Sequence, residues 1–163
     1  MAGTTAWILG DQLSHDNPAL EGADRVLLVE SHAKLASGRW HRQKLHLVLS
    51  AMRHFAAELQ ELGLEVDYRR ARSLSSGLRA HLAEHDPERV RLLSPHSMAG
   101  VERLGALDRV EIVEQALFLT DPGEFGEWVG DRKKLRMEDF YRWQRRRLNV
   151  LMDGDDPVGG RWN

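Results

Sequence analysis

Five short apolar runs, each of strand length, constrain the fold of this chain of 163 residues most strongly. The runs cover residues 6–9, 25–29, 65–69, 90–93 and 110–113. Their near-continuous apolar character, as in VLLV and VRLL, is typical of strands buried on both faces, and helical segments separate most of them. The pattern therefore predicts an α/β fold of three layers, α/β/α, around a five-stranded parallel sheet.

The segments between these runs show helical periodicity. The longest helix is predicted at about residues 41–62, because apolar residues recur there at spacings of three and four and Gly63 provides a stop. Its inward positions are Leu45, Val48, Met52, Phe55, Leu59 and Leu62. Shorter helices are predicted after the serines at 73–76, at about 97–106 and at about 137–152, and the turn-rich residues that follow form no further element. This alternation is typical of a Rossmann-like domain.

The composition narrows the chemistry. The chain has no cysteine, which excludes thiolate zinc sites, iron–sulfur ligation and a cysteine nucleophile within these residues and favours a reducing, cytoplasmic setting. No apolar run approaches the ~20 residues of a membrane span, so a soluble protein is expected. The formal net charge is −2, yet residues 131–147 hold eight basic and three acidic side chains. This asymmetry indicates one surface suited to an anionic partner.

Turn-forming and polar residues directly follow the first two predicted strands, with Gly10, Asp11 and Gln12 after the first and Glu30, Ser31 and His32 after the second. Ligands of open parallel sheets bind beyond the carboxyl ends of the strands, so the two clusters are expected to face one crevice. The glycine patterns of a dinucleotide site and a P-loop are missing, which favours a ligand with ring donors, acceptors or hydroxyls over a pyrophosphate. The alternative is a structural turn, in which Asp11 or Ser14 caps a short helix and Gly10 permits a tight bend.

Other polar groups give weaker patterns. The first turn of the long helix carries cations, among them Lys44, where the helix dipole prefers anions; either a ligand contact or a solvated basic turn explains it. His81 and His85 stand four residues apart, a spacing that can hold a metal ion. Glu84 is the one further ligand evident nearby, and HLAEHD is typical of a solvated helix face, so no metal site is assigned. No nucleophile elbow is present, and no catalytic residue is assigned.

The last predicted helix is rich in arginine. Arg142, Arg145, Arg146 and Arg147 surround Trp143, a combination of cations and an aromatic ring that phosphate backbones attract. The face opposite its apolar stripe is therefore expected to be basic. It is either a DNA contact or a solvated face, and the solvated face is the better expectation for an isolated basic helix.

Four segments in order resemble one family. They are ILGDQLS at the first strand, SAMRHFAAEL within the long helix, RKKLRMEDFYRWQRRRLNVLM at 132–152 and the terminal PVGGRWN. Together they are similar to the bacterial deoxyribodipyrimidine photolyase-related proteins, the iron–sulfur branch of the photolyase and cryptochrome family that includes the bacterial (6-4) photolyases. Members of that family are about three times longer than this chain, which is consistent with more than one domain.

The resemblance implies a division of labour. Residues 1–152 would form the amino-terminal antenna domain, which binds 6,7-dimethyl-8-ribityllumazine, and residues 153–163 would begin the linker to a helical domain that holds FAD, a 4Fe-4S cluster and the DNA lesion. The residues that match the antenna pocket are Leu9, Gly10, Asp11, Gln12, Glu30, Ser31, His32, Lys44 and Val48. The longer parent would be a DNA photolyase, a carbon–carbon lyase, whereas these residues would not be catalytic.

The sequence therefore leaves three alternative functions. The first is a light-harvesting domain of a photolyase- or cryptochrome-related protein, whose partners are its own carboxyl-terminal helical domain and, through the full-length protein, damaged DNA. The second is a stand-alone nucleotide- or flavin-binding module that uses the same crevice. The third is a DNA-binding module built on the arginine-rich helix, which predicts salt-dependent binding.

Overall fold

The computed structural model describes residues 3–114 and 118–162. The chain groups into two compact units, Met1–Leu117 and Phe118–Asn163. The first unit holds the predicted sheet. An antenna domain at 1–152 and a linker at 153–163 are defined by function, which the division into compact units does not test. These two extents therefore stay predictions.

The sheet has five parallel strands, as the apolar runs predict. The strands are β1 (Thr4–Ile8), β2 (Arg25–Ser31), β3 (Glu65–Ala71), β4 (Arg89–Leu93) and β5 (Val110–Val113). Their order is β3-β2-β1-β4-β5. The chain thus adds β2 and β3 on one side of β1 and then adds β4 and β5 on the other side, so the strand order switches direction between β1 and β4. Pairing of β1 with β4 runs from Thr4–Arg89 to Trp7–Leu92 and ends there. The gap beyond this last pair is the topological switch point, where ligands of such sheets bind.

Helices cover both faces of the sheet, which confirms the three-layer prediction. Three of them carry the main contacts, α2 (Arg42–Glu61), α3 (Leu74–His85) and α4 (Met98–Gly105). On one face Ile8 packs with Phe55 and Leu59 of α2. On the other face Trp7 packs with Leu78 of α3. Neighbouring residues of β1 therefore point to opposite layers, as the two-residue period of a strand requires.

The long helix α2 agrees with its prediction except at its last inward position. Met52, Phe55 and Leu59 are buried, and complete burial of a side chain such as Leu59 contributes about 1.5–3 kcal/mol. The prediction that Leu62 points inward is wrong, because this residue caps the helix and its side chain is exposed. Gly63 follows with φ +88°, a left-handed conformation that glycine adopts without steric cost, and it ends the helix as predicted.

Two short elements after β1 and β2 were not predicted. A 3-10 helix (Pro18–Leu20) follows β1 and is capped by the Asn17 side chain, which accepts a hydrogen bond from the Ala19 amide at 3.0 Å. Helix α1 (His32–Ala36) follows β2 directly, and the Ser31 hydroxyl caps it by accepting from the Lys34 amide at 3.2 Å. Ser31 is itself the last residue of β2, whereas Asn17 lies in the loop that follows β1.

The second unit contains α5 (Pro122–Val129), α6 (Met137–Leu148) and an antiparallel pair, β6 (Met152–Asp153) and β7 (Asp156–Pro157). The predicted helix at 137–152 is too long, because Asn149 adopts φ +51° and ends α6. The prediction of no element after Met152 is also wrong, because β6 and β7 form there. Among the described residues, no helix is long and apolar enough to cross a membrane.

Candidate functional site

Gln12 occupies the switch point. Its backbone amide donates to Leu9 O at 2.9 Å, which forms the turn after β1. Its side-chain amide reaches across the sheet, where Nε2 donates to Leu93 O at 3.0 Å and to Ser94 O at 3.1 Å. Pairing of β1 with β4 ends one residue earlier, so the Gln12 side chain extends the connection between these strands beyond the last backbone pair.

The carboxamide oxygen of Gln12 differs from its nitrogen. Gln12 is 2% exposed, and its Oε1 has no hydrogen-bond partner among the described residues. Two carbonyl acceptors fix the NH₂ group on the β4 side, so the amide cannot be turned around without leaving both carbonyls without a donor. A buried polar atom without a partner is costly, at about 1–3 kcal/mol, and in native proteins it calls for a specific explanation.

Gly10 brings the turn after β1 against α2. A Cβ placed at this residue would lie 2.9 Å from Met52 Sδ and 3.2 Å from Val48 Cγ1. The glycine therefore allows close approach of the turn to the helix. Of the predicted site residues, Gly10 and Val48 are thus brought together. Val48 and Leu9 are both partly buried.

Glu30 lies at the carboxyl end of β2 and holds an ion-pair network there. Its Oε1 accepts from Arg53 Nε at 2.7 Å and from the Tyr68 hydroxyl at 2.5 Å, and its Oε2 lies 3.5 Å from Arg70 Nε. The carboxylate is 8% exposed, whereas the Arg53 and Arg70 side chains are 49% and 67% exposed. Sequence reasoning identified Glu30 but missed its three partners, since they come from α2 and β3.

The network shifts the protonation equilibria of its members. Burial by itself raises the pKa of Glu30, but the hydrogen bonds from Arg53 and Tyr68 and the positive charges of Arg53 and Arg70 outweigh it and hold the pKa below 4.5. Burial and the hydrogen bond to Glu30 raise the pKa of Tyr68 to about 12. At neutral pH the site therefore presents a carboxylate, a neutral phenol and two guanidinium groups.

Three of the remaining predicted residues lie on the solvent side, and one is buried. Asp11, His32 and Lys44 are exposed, and the Lys44 ammonium stands 4.8 Å from the centre of the Trp40 ring. Ser31 is buried as the cap of α1. The structure thus places Gly10, Gln12, Val48 and Glu30 against neighbouring elements, with α2 contacting both Gly10 through Met52 and Glu30 through Arg53.

A second polar cluster lies under α3, on the face of the sheet opposite to α2. His81 is fully buried, so the prediction of a solvated face is wrong for this residue. Its Nδ1 is 2.6 Å from Asp67 Oδ2, and its Nε2 is 2.9 Å from the Thr5 hydroxyl. His85 Nε2 lies 3.4 Å from the same Asp67 oxygen. Burial lowers the pKa of His81, and this effect outweighs Asp67, which by itself would raise that pKa. The neutral form of the ring is therefore favoured.

In the second unit the arginines of α6 are largely engaged within the unit. Arg145 is 8% exposed, donates to Val150 O at 3.1 Å and to the Tyr141 hydroxyl at 3.1 Å, and also donates to Leu151 O. The prediction of a basic face that includes this residue is therefore wrong. Arg147 pairs with Glu124. Three guanidinium groups surround the Trp162 ring, those of Arg142, Arg145 and Arg146, at 5.6, 5.3 and 4.7 Å.

A family model and two known proteins match parts or most of this chain. The family model described as deoxyribodipyrimidine photo-lyase-related protein matches residues 6–163. A (6-4) photolyase of Agrobacterium fabrum is 37% identical over 171 residues, which covers 96% of this chain and 34% of the photolyase. An uncharacterized protein of Acanthamoeba polyphaga mimivirus is 40% identical over 38 residues, or 23% of this chain and 19% of that protein. The chain thus spans about a third of the length of the photolyase that it matches.

Proposed function

Since the chain belongs to the family of deoxyribodipyrimidine photo-lyase-related proteins, we propose that its α/β unit is the amino-terminal, chromophore-binding part of a photolyase- or cryptochrome-related protein. Its role is to hold a light-harvesting chromophore for light-dependent DNA repair or light sensing. The flavin, the iron–sulfur cluster and the contacts with damaged DNA then belong to the other two thirds of such a protein, in keeping with the 34% of the (6-4) photolyase that this chain spans.

The single observation that carries this proposal is the unpaired Oε1 of Gln12. It is buried at the switch point, and its orientation is fixed by two carbonyls of the β4 end. A ligand that presents an N–H or O–H donor would satisfy this acceptor, provided that the turn after β1 shifts enough to expose the oxygen. A pyrophosphate has only acceptor oxygens at neutral pH and leaves Oε1 without a partner, which agrees with the missing phosphate-binding glycines.

A ribityl-lumazine fits this requirement, because its ring system and its hydroxylated chain both carry donors. Gln12 would accept from one of them, while Gly10 and Val48 would supply a close apolar wall beside the turn. Glu30 and its arginine partners would offer charged hydrogen-bonding groups at the neighbouring strand. Bound 6,7-dimethyl-8-ribityllumazine supplies absorption of light and transfer of excitation, whereas the protein supplies placement and exclusion of water.

The solvent-side residues complete the proposed site. Asp11, His32 and Lys44 are exposed and therefore available to a ligand without first leaving a buried contact. Ser31 acts on the ligand indirectly, by fixing the start of α1 next to Glu30. The chain's own residues thus divide into a buried acceptor, an apolar wall and a polar rim, which is the composition expected of a small-molecule site.

Reconstitution tests the proposal directly. The purified chain is titrated with 6,7-dimethyl-8-ribityllumazine while the visible absorption band and the thermal unfolding midpoint are followed. We expect saturable binding with a displaced band, and binding about tenfold weaker in Gln12→Leu, since loss of one hydrogen bond to a ligand costs about 1 kcal/mol or somewhat more. Gln60→Leu, at an exposed glutamine of α2, is the matched control and leaves binding unchanged.

Flavin is the competing ligand, because a flavin ring also carries a donor N–H. Parallel titrations with FMN and FAD therefore decide between a lumazine antenna and the alternative of a flavin- or nucleotide-binding module that works alone. Tight flavin binding in place of lumazine favours that module. If neither a shifted band nor thermal protection is seen at saturating lumazine, the antenna proposal is refuted.

A further inference from the structure

The cluster under α3 has the composition of a metal site. Asp67 of β3 and His81 and His85 of α3 each offer one ligand atom, and the three atoms lie within 4.8 Å of one another. The Asp67 oxygen is 2.6 Å from His81 Nδ1 and 3.4 Å from His85 Nε2. Ligand atoms bound at about 2.1 Å around a tetrahedral ion are about 3.4 Å apart, a separation that falls between the 2.6 Å and 4.8 Å that bound the distances among these three atoms.

We propose that Asp67, His81 and His85 bind a divalent transition-metal ion of the zinc type, independently of the chromophore site on the other side of the sheet. Two imidazoles and a carboxylate form a ligand set that zinc and cobalt prefer, and magnesium or calcium would select oxygen ligands instead. A water molecule would complete the tetrahedron. The spacing of the histidines on one helix suggested this chemistry, and the third ligand comes from a strand 14 residues before His81.

Thr5 prepares His81 for this role. Its hydroxyl lies 2.9 Å from Nε2, on the side of the ring that faces away from Asp67. A metal-bound histidine characteristically donates its other ring N–H to an oxygen, which fixes both the tautomer and the ring orientation. When the metal binds Nδ1, the proton resides on Nε2 and is donated to Thr5. The ring keeps its charge, because only the position of its proton changes.

The backbone around the cluster is held in place. Gly77 of α3 lies so near β2 that a Cβ there would stand 2.6 Å from Val29 Cγ1, which brings the helix close to the sheet. The same helix begins with a capping box between Ser73 and Ser76. The side chain of His85 is 20% exposed, which provides a path for the ion from solvent to the buried ring of His81.

Arg69 also contacts the proposed ligand Asp67. Its Nε donates to Asp67 Oδ2 at 2.5 Å, the oxygen that both histidines also approach, and its terminal Nη2 donates to Glu84 Oε2 at 2.7 Å. The guanidinium and the metal ion therefore compete for one carboxylate. Metal binding requires Arg69 to move its interaction entirely to Glu84. Replacement of this arginine by glutamine is thus expected to strengthen metal binding, an outcome that a purely structural cluster would not produce.

Cobalt titration tests the proposal. The chain, freed of any polyhistidine tag, is titrated with Co²⁺ while the visible d–d absorption of the bound ion is recorded, and Zn²⁺ is then added to displace it. We expect one ion per chain with the intense bands of a tetrahedral site. Binding should weaken by about tenfold or more in His85→Ala and in Asp67→Asn, and by roughly 10–100-fold in Thr5→Val, which retains the shape of the side chain.

The controls separate a metal site from loss of folding. His54→Ala removes an exposed histidine of α2 and should leave the titration unchanged, whereas Arg69→Gln should tighten it. Thermal unfolding of each variant without metal establishes that it is folded, and His85→Ala is the primary variant because that side chain is partly exposed. Absence of saturable cobalt binding, or binding that survives both His85→Ala and Asp67→Asn, overturns the proposal.

Discussion

Replacement of Gln12 by leucine measures how much the switch point depends on this one amide. The change removes the donors to Leu93 O and Ser94 O, and Leu93 is 1% exposed, so water does not readily take over its carbonyl. Each lost bond costs about 1 kcal/mol, and the unpaired carbonyl of Leu93 adds about as much again. Removal of the unpaired Oε1 returns about 1 kcal/mol, which leaves a net loss of about 2 kcal/mol.

Urea and thermal unfolding, both followed by circular dichroism, provide the assay. A loss of about 2 kcal/mol lowers the unfolding midpoint of a chain of this size by about 4–8 °C and leaves the urea m-value unchanged, since the exposed area is the same. Gln60→Leu on the solvent face of α2 should change the free energy of unfolding by less than about 0.5 kcal/mol. If Gln12→Leu proves as stable as the parent, the amide does not hold β4, and the fixed orientation of Oε1 loses its basis.

Three further outcomes are expected. Gly77→Ala should lower the free energy of unfolding by about 1–2 kcal/mol in thermal melts, because the new Cβ meets the stiff side chain of Val29 and overpacking outweighs the better helix propensity; a more stable variant would contradict this. Glu30 stabilises the fold above its usual pKa of 4.5, and this contribution is lost as the pH falls through its lower pKa in the folded protein, so the stability difference between the parent and Glu30→Gln should shrink below pH 4.5 in urea titrations. Arg145→Leu should lower the midpoint of the second unit while leaving any affinity for DNA in a salt-dependent binding assay unchanged, because this guanidinium is buried against backbone carbonyls; a large loss of DNA binding would restore the reading of α6 as a nucleic-acid surface.

The three central strands β1, β2 and β4 were predictable because most of their residues are buried and their sequences therefore read as apolar runs, whereas the edge strands β3 and β5 are only partly buried. The helices were predictable where a single apolar face is long, as in α2. Helix α5 was missed because a proline and two glycines in PGEFGEWV are typical of a loop. The signal that identifies it is the capping box, in which Asp121 accepts from the Glu124 amide at 2.9 Å and Pro122 occupies the first turn.

The candidate site was only half predictable. Gln12 and Glu30 were chosen as candidates because they stand near the carboxyl ends of parallel strands, where ligands of such sheets bind. Their partners could not, since Arg53 and Tyr68 reach Glu30 through the packing of α2 and β3 rather than through spacing along the chain. The contacts of Asp67 with His81 and His85 could likewise not be predicted from spacing along the chain. The presence of an aspartate within the strand EVDYRRA did indicate that its carboxylate needs a polar partner in the folded protein.

The strand order also has a consequence for the folding of the protein during its synthesis on the ribosome. β1 is the middle strand of the finished sheet, yet one of its two neighbours, β4, begins only at Arg89. During synthesis at about 5–20 residues per second, β1 therefore spends several seconds with one edge unpaired, next to β2 and β3 alone. An open edge of this kind invites pairing with other chains. Translation speed across the segment that encodes α3 and β4 should therefore influence how much of this protein reaches its native state.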